Sequence, residues 1–299
     1  MNKKKIITLK FNTAIHYGND GKPGLLNTDI MILSDTVYSA IIDNNPTILS
    51  KLIKYVTNNE LKISNMLPYV NNQLLLPRGL KQFEFGNKEI DRTLFKKMKK
   101  VNFLPFDNYE KYYTNCQEEL IEEALNLEKE IGVFEVRTNN RISRDKRETM
   151  PYLLTTFTFN ENSGLYLIVE YSDENIFALI KNEIERLGKF GVGGRRSSGL
   201  GKFVIKEIKD FQETDQGKYL LVSTALPKNP IGKSTFKIVK RSGFYHSREG
   251  NFKKRDIYAI SSGLITEEKF EGKILDDLSF NHPVYRFLPA LFVRINIWV

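Results

Sequence analysis

The chain contains few of the residues that disulfide and metal chemistry require. Its 299 residues include a single cysteine, Cys116, so no internal disulfide and no cysteine metal cluster can form. This cysteine usage suits a reducing cytosol. The three histidines, His16, His246 and His282, form no HExxH pair and show no metal-ligand spacing. The sequence therefore predicts no metal and no cofactor.

Long apolar runs and enzyme motifs are also missing. The N-terminus begins like a signal peptide, but its apolar run from Ile6 to Leu9 ends at a lysine. No stretch approaches the length of a membrane span, so we expect a soluble, cytoplasmic protein. There is no G-x-S-x-G elbow, and Cys116 lies in an acidic helical pattern where a low thiol pKa is not expected. Asp276 and Asp277 fit an ordinary strand exit, with a metal role as the alternative.

Positive charge is what the chain has in excess. It carries 45 Lys and Arg against 36 Asp and Glu, a net charge of +9, and its isoelectric point is near 9.3. Such an excess suggests a polyanionic partner. A length of 299 residues suffices for one large domain or two moderate ones.

The most unusual stretch is KFGVGGRRSSGLGKF, from Lys189 to Phe203, which we call the glycine loop. It fits neither nucleotide motif: a dinucleotide fingerprint would need glycine where Arg196 stands, and a P-loop would need Lys-Ser/Thr after Gly199. The loop also follows a predicted helix, with Ser172 or Asp173 as its N-cap, and precedes a predicted strand, whereas both motifs run from strand to helix. Two interpretations stay open: a loop that binds the phosphates of RNA or DNA, and a long helix C-cap followed by a flexible turn.

Apolar periodicity predicts the fold class. A first strand precedes helices capped by Ser34 or Asp35 and interrupted at Pro46. The stretch from Lys62 to Met150 looks irregular, with one basic and one acidic helical segment. A β-hairpin with its turn at Asn-Ser-Gly, a helix, the glycine loop and a strand follow. The order βαββαβ predicts a ferredoxin-like, RRM-like α+β domain over residues 1–209 with a long insertion. A smaller strand-rich domain is predicted over residues 216–299.

Cations gather in three patches. The segment from Val136 to Met150, predicted as an exposed loop, contains Arg137, Arg141, Arg144, Lys146 and Arg147. The glycine loop contains Lys189, Arg195, Arg196 and Lys202. The segment KRSGFYHSREGNFKKRD contains Lys240, Arg241, Arg248, Lys253, Lys254 and Arg255, interleaved with Phe244, Tyr245, His246 and Phe252. Aromatic faces beside cations suit single-stranded nucleic acid, although a single patch is more often a solvated surface.

His16 is the most interesting candidate for chemistry. It lies in IHYG, near the end of the first strand, where a sheet would meet bound RNA. Three roles are open: a general base in RNA cleavage through the 2′-hydroxyl, a contact to a base or phosphate, or packing of the following turn.

These motifs resemble the RAMP superfamily of CRISPR proteins. The glycine loop between a helix and the closing strand is typical of that superfamily. FNTAIHYG, LSDTVYSAII, LVSTALP, KRSGFYHS and KKRDIYAISSG narrow the resemblance to subunits that cap the crRNA 5′ end in type III-A (Csm) effector complexes. It covers nearly the whole chain, although Asn58 to Val133 adds little.

The resemblance implies two ferredoxin-like halves and a non-catalytic, antiviral subunit. It implies binding to the repeat-derived 5′ tag of the crRNA, with the large polymerase-type subunit and the backbone RAMP subunit as neighbours. The implied RNA contacts are His16; Arg137, Asn139, Arg141, Arg144, Lys146 and Arg147 on an inserted finger; Gly193, Gly194, Arg195, Arg196, Ser197, Ser198 and Lys202 in the glycine loop; and Lys240, Arg241, Ser242, Phe244, Lys253 and Lys254 in the second half.

Two other functions stay open from the sequence. The first is a metal-independent RNA endonuclease of the RAMP type that uses His16. The second is a nucleotide-binding regulator that uses the glycine loop, against which the failed motif spacing argues.

Overall fold

The structure is a computed structural model, which describes residues 2–18, 24–80, 92–114, 116–142, 149–232, 234–247, 250–277 and 284–297. Most of its helices and strands follow the apolar patterns of the sequence. The first half contains β1 (Lys3–Phe11), α1 (Ser34–Asn44), α2 (Leu49–Thr57), β2 (Leu61–Ile63), β3 (Leu67–Val70), β4 (Gln73–Pro77), α3 (Arg92–Lys100), β5 (Phe103–Pro105), α4 (Lys111–Thr114), α5 (Glu118–Glu130), β6 (Gly132–Ile142), β7 (Thr149–Phe159), β8 (Ser163–Tyr171), α6 (Glu174–Phe190) and β9 (Phe203–Asp210). The second half contains β10 (Lys218–Leu221), β11 (Ile238–Arg241), β12 (Phe244–Ser247), β13 (Gly250–Lys253), β14 (Ile257–Ile260), β15 (Ile265–Thr266), β16 (Lys273–Asp277), β17 (Val284–Leu288) and β18 (Phe292–Ile295).

One antiparallel sheet organises the first half. Its strand order is β5-β4-β3-β8-β1-β9, and β2 also pairs with β8. The strands β9, β1, β8 and β3 lie next to one another in the order of a ferredoxin-like sheet, with α1 and α6 as the two crossover helices. The predicted α+β class is confirmed.

Two expectations about this half are wrong. The stretch from Lys62 to Met150 is not irregular, because β3 to β5 belong to the main sheet. The predicted hairpin of β7 and β8 does not form: β7 pairs with β6, while β8 pairs with β1, β2 and β3. Since β8 is buried on every residue, it packs as a central strand, whereas β7 begins with exposed residues. The position expected for β7 is taken by β2 and β3.

Helix ends follow local chemistry. Asp173 caps α6 by accepting a hydrogen bond from the Asn175 amide at 2.7 Å, as predicted. The predicted cap of α1 is wrong: Ser34 is its first residue, and the Asn65 side chain accepts the Ser34 N–H at 2.8 Å. Pro46 opens the short 3₁₀ turn between α1 and α2.

Both faces of the main sheet are covered. Ile7, Leu9 and Leu167 pack against α1, α2 and α6, while Ile6 and Ile168 share a second core with Leu220 and Val293 of the second half. An RRM-like domain stacks bases on an open sheet face, but here that face is buried. Within the described residues, the main sheet therefore offers no open face for base stacking, and only loops and edges of this half stay accessible to a ligand.

The second half is strand-rich, as predicted. β10 pairs with β15 and β18, and the other strands form the pairs β11-β14, β12-β13 and β16-β17. The described residues after Ser198 include no helix, so they do not repeat the βαββαβ order. Tyr38 of α1 stacks on Phe287 with ring centroids 5.0 Å apart. The two halves therefore share cores, and the boundary between residues 209 and 216 stays a prediction.

Candidate nucleic-acid interface

The glycine loop forms the helix C-cap that its sequence left open as one interpretation. Gly191, with φ 89°, donates its N–H to Leu187 O at 2.7 Å and so caps α6. The loop then turns back, and the Val192 N–H bonds Gly201 O at 3.0 Å. Between these points Arg195 adopts a left-handed conformation, with φ 61°, at the solvent-exposed tip. The loop is thus a helix cap that extends into an ordered, cation-bearing turn.

Close packing on the segment after β1 explains two of the glycines. The Gly194 N–H donates to His16 O at 2.7 Å. A Cβ atom on Gly193, whose φ is 89°, would lie 2.7 Å from that same oxygen. A side chain there would push the loop away, so glycine is required by both the backbone angle and the approach.

His16 acts in the described structure as a connecting residue. β1 ends at Phe11, so His16 follows the strand rather than ending it, and its side chain is buried. Its Nδ1 lies 2.8 Å from Thr155 O and 2.8 Å from Thr28 Oγ1. Because a carbonyl oxygen only accepts, Nδ1 carries the proton. The ring therefore links β7 to the segment before α1, while the His16 carbonyl binds the glycine loop, which agrees with the packing role.

The exposed loop predicted from Val136 to Met150 is corrected at both ends: residues 136–142 belong to β6 and residues 149–150 to β7, and these strands form an antiparallel ribbon that we call the finger ribbon. Arg137, Asn139 and Arg141 alternate along β6 and therefore share one face, and Tyr152 is paired directly with Asn139 on that face. The opposite face carries exposed Phe134, Val136 and Leu153. Arg144, Lys146 and Arg147 lie outside the described residues, as do Arg248 and His282.

The cationic face of the finger ribbon turns toward the glycine loop. The Arg195 guanidinium carbon lies 5.2 Å from the centre of the Tyr152 ring, within cation–π range. Two cation-rich elements that are distant in sequence are therefore adjacent. Arg137 is exposed and its guanidinium pairs with Glu135 at 2.7 Å on the same strand.

The remaining residues of the glycine loop differ in their exposure to solvent and in their ion pairing. Ser197 and Ser198 are exposed in the 3₁₀ turn Arg196–Ser198. Lys202 is exposed, and its backbone N–H donates to Thr13 Oγ1 at 2.9 Å. The Arg196 guanidinium instead pairs with Asp43 Oδ2 at 2.6 Å, on the half-exposed end of α1.

The structure corrects the prediction that Arg241 contacts RNA. Its side chain is buried, and its Nε donates to Asp35 Oδ2 at 2.9 Å. A second nitrogen donates to Thr36 Oγ1 at 2.8 Å. Burial raises the pKa of the neighbouring Tyr17, and the Arg241 charge lowers it in part. The guanidinium joins β11 to α1 and does not reach solvent, so it cannot contact RNA in this conformation.

Other second-half cations lie on the surface. Lys240 pairs with Asp256 at 2.7 Å, and Lys253 lies 3.7 Å from the same carboxylate. The hydrogen bond from Lys240 lowers the pKa of Asp256. Ser242 is exposed, and its carbonyl accepts from Arg286 at 3.2 Å. These lysines are partly neutralised by a shared carboxylate.

Phe244 and Lys254 reach the glycine loop. They line a cavity of about 320 Å³ together with Gly193 and Arg196. Burial lowers the pKa of Lys254, and the Arg286 charge adds to that effect. The structure thus brings together one part of each predicted patch: the finger ribbon, the glycine loop and the Phe244–Lys254 segment.

Several residues of this region were missed from the sequence. Tyr152 follows the basic segment closely, so its aromatic ring beside cations was a usable signal. No sequence signal marked Asp43 or Thr155. Only the fold brings Asp43 to Arg196 and Thr155 to His16. In the described part of the chain, no three His, Cys, Asp or Glu side chains form a group that could hold a metal ion.

Several known proteins are similar to the chain in sequence. Residues 214–295 match the family described as the CRISPR Csm4 C-terminal domain. Curated Csm4 proteins of Mycobacterium tuberculosis and Streptococcus thermophilus are 28% and 26% identical to the chain, covering 94% and 98% of it and 94% and 99% of themselves. These matches support the resemblance of the chain to RAMP-type Csm4 proteins. The predicted resemblance is confirmed.

Solved structures agree on the fold. A Csm3-Csm4 subcomplex of the type III-A CRISPR-Cas interference complex contains a chain with a TM-score of 0.63 and 18% identity, covering 98% of this chain and 99% of that one. A Csm1-Csm4 cassette in complex with pppApA gives a TM-score of 0.60 at 18% identity, covering 98% and 99%. No helix in the described residues is long and apolar enough to cross a membrane.

Proposed function

We propose that the chain is the non-catalytic crRNA-binding subunit of a type III-A (Csm) effector complex and holds the repeat-derived 5′ tag. The observation that carries the proposal is the contact of Arg195 with Tyr152, 5.2 Å from guanidinium carbon to ring centre. It joins the glycine loop to the finger ribbon, whose cationic face also bears Arg137 and Arg141. Arginines and loop amides contact phosphates, while an aromatic face can stack on a base.

The predicted partners follow from the relatives. One similar chain was solved with Csm3 and another with Csm1. We infer that this chain likewise bridges a large polymerase-type subunit and a backbone RAMP subunit. Its cytoplasmic location stays a prediction.

The test is RNA binding by the full chain over a series of salt concentrations. Replacing Arg195 and Arg196 with alanine removes two cations from the glycine loop. For a single strand, each lost phosphate contact flattens the slope of log K against log salt by about 0.7. The matched control is Lys209→Ala: this exposed lysine pairs with Glu207 on β9, about 20 Å along the strand from the loop.

We expect the double variant to bind the tag RNA more weakly and with a flatter salt slope, while the control binds like the parent. Equal affinity of the double variant and the parent at every salt concentration would contradict the RNA-binding site. Copurification of a guide RNA with the parent but not with the double variant would support it.

The nuclease alternative is tested separately. The buried ring of His16, with its Nδ1 facing Thr155 O, supports a positioning role. We therefore expect the purified chain to leave repeat RNA intact in the presence of a chelator. Cleavage that His16→Ala abolishes would establish the alternative.

A further inference from the structure

The cavity between the two halves combines opposite charges. It is lined by α1, the glycine loop and the segment from Phe244 to Lys254, and its volume is about 320 Å³. Two cations, Arg196 and Lys254, line it, and Asp43 is the one carboxylate among its described lining residues. The lining also includes four aliphatic residues and the hydroxyl and aromatic side chains of Thr36, Ser39, Phe244, Tyr245 and Tyr285.

The two cations differ in how they are neutralised. Arg196 is paired with Asp43 Oδ2 at 2.6 Å. Lys254 is partly buried, and among the described residues no carboxylate forms an ion pair with its ammonium group, although Asp35 and Asp43 are near enough to raise its pKa slightly against the effect of burial. Partial burial of an ammonium group without a paired anion carries a desolvation cost, so this wall of the cavity favours an incoming anion.

Asp43 lies in the last turn of α1, beside the negative end of the helix dipole. Both features attract the Arg196 guanidinium to the helix end. The carboxylate is nonetheless half-exposed, with 48% of its side chain accessible, so its pair with Arg196 is of the weak, solvent-screened class. A phosphate offers more acceptor oxygens and can bond arginine bidentately.

We propose that this cavity is a phosphate-binding site for the RNA strand, occupied in the free chain by the Asp43 carboxylate, which the incoming phosphate displaces from Arg196. This inference rests on the proposed RNA-binding function and adds its regulation. Asp43 weakens the apparent affinity of the cavity for anions, because a phosphate must displace its carboxylate before Arg196 and Lys254 can both bind that phosphate. An RNA strand that is also bound by the finger ribbon displaces Asp43 more readily than an isolated phosphate does, because its phosphate is held at a high local concentration.

The experiment compares the full-length parent chain with Asp43→Asn, using a short single-stranded RNA of the tag sequence. Removing the competing carboxylate is expected to tighten binding about two- to fivefold, the range of a surface ion pair. The salt slope is expected to steepen by up to about 0.7, because Arg196 now contributes its full charge. Glu185→Gln is the matched control, since it removes one carboxylate from the exposed Lys181–Glu185 pair on α6, outside the cavity.

Two further arms decide the interpretation. In an Arg196→Ala background, Asp43→Asn is expected to lose most of its gain, because the competition was for Arg196. A gain that persists undiminished, or an equal gain in Glu185→Gln, overturns the proposal. AMP is expected to compete poorly with the RNA; competition at concentrations near those of the RNA would assign the cavity to a free nucleotide and overturn the RNA site.

These outcomes are separate from those that test the proposed function. If the Arg195/Arg196 double variant binds RNA like the parent, the proposed function fails. If the double variant is weakened but Asp43→Asn behaves like Glu185→Gln, only the displacement by Asp43 fails.

Discussion

Arg195 lies over the ring of Tyr152, 5.2 Å from its centre, and so joins the glycine loop to the finger ribbon. Arg195 adopts a left-handed backbone conformation, with φ 61°, to present its side chain there. For a non-glycine residue that conformation is uncommon, and it is maintained by the surrounding loop. The contact aligns two cationic elements on one surface.

Tyr152 is expected to support RNA binding through its ring. Tyr152→Ala removes the ring on which the Arg195 guanidinium rests. If the energy of this exposed cation–π contact is lost from RNA binding, the affinity for RNA falls about two- to fivefold. Tyr152→Phe keeps the ring and is expected to bind like the parent. Fluorescence anisotropy with the tag RNA measures both. An alanine variant at parental affinity would show that the contact does not contribute to binding.

Arg241 is expected to matter for stability. Arg241→Ala leaves the Asp35 carboxylate buried without its partner, and breaking such a pair typically costs about 3–5 kcal/mol. Urea unfolding is the measurement, and Lys240→Ala, on the same strand but in an exposed pair with Asp256, is expected to stay close to the parent. A stable Arg241→Ala variant with weakened RNA binding would instead return Arg241 to the RNA path.

Two loop glycines with similar backbone angles are expected to respond differently to alanine. Gly199 has φ 86° and open space where a Cβ would lie, so Gly199→Ala pays only the left-handed strain of about 1–2 kcal/mol. Gly201 has φ 77°, and its Cβ would lie 2.0 Å from Val192 O. Gly201→Ala must therefore move the loop. It is expected to lower the urea midpoint further and to weaken RNA binding; equal effects in the two variants would contradict this loop geometry.

Glu170 is expected to make stability depend on pH. Burial alone would raise its pKa, but Lys62 and Lys4 outweigh burial and lower the pKa below its ordinary value near 4.5. Because the folded pKa is depressed, the stabilisation is complete above the ordinary pKa and is lost as the pH falls through the folded pKa. Lys4 also donates to Phe292 O at 2.7 Å, so this cluster ties the two halves together.

Urea unfolding of the parent and Glu170→Gln at a series of pH values tests this expectation. The stability difference between the two proteins should be largest near neutral pH and should shrink at acid pH. The exposed turn residue Glu161, replaced by glutamine, is the control and should show no such trend. A difference independent of pH would contradict the charge assignment.

Local elements were predictable because their signals are local. The amphipathic spacing of α6, the Asp173 cap and the break at Pro46 are each written within a few residues. The partner of a strand is not local: β7 has the apolar character of a sheet strand, yet it pairs with β6. The strands that pair with β8 in its place are β2 and β3. They come from a stretch whose short strands show no clear apolar periodicity.

The same distinction applies to the site. The glycine loop was recognisable because glycines and cations are adjacent in sequence. That Arg241 is buried could not be predicted, since its partner Asp35 lies on α1, 206 residues away. Asp43 gains its importance only from the fold, which places it beside Arg196. Tyr152 was recognisable as an aromatic residue close to the basic segment, but only the fold places it beside Arg195.

The most direct test of the central claim is photo-crosslinking of the full chain to tag RNA that contains 4-thiouridine, followed by peptide mapping. The account predicts crosslinked peptides from both the finger ribbon, around Arg137 to Tyr152, and the glycine loop, around Gly191 to Lys202. Crosslinks confined to another cationic surface, such as the lysines of α3, with neither element labelled, would contradict it.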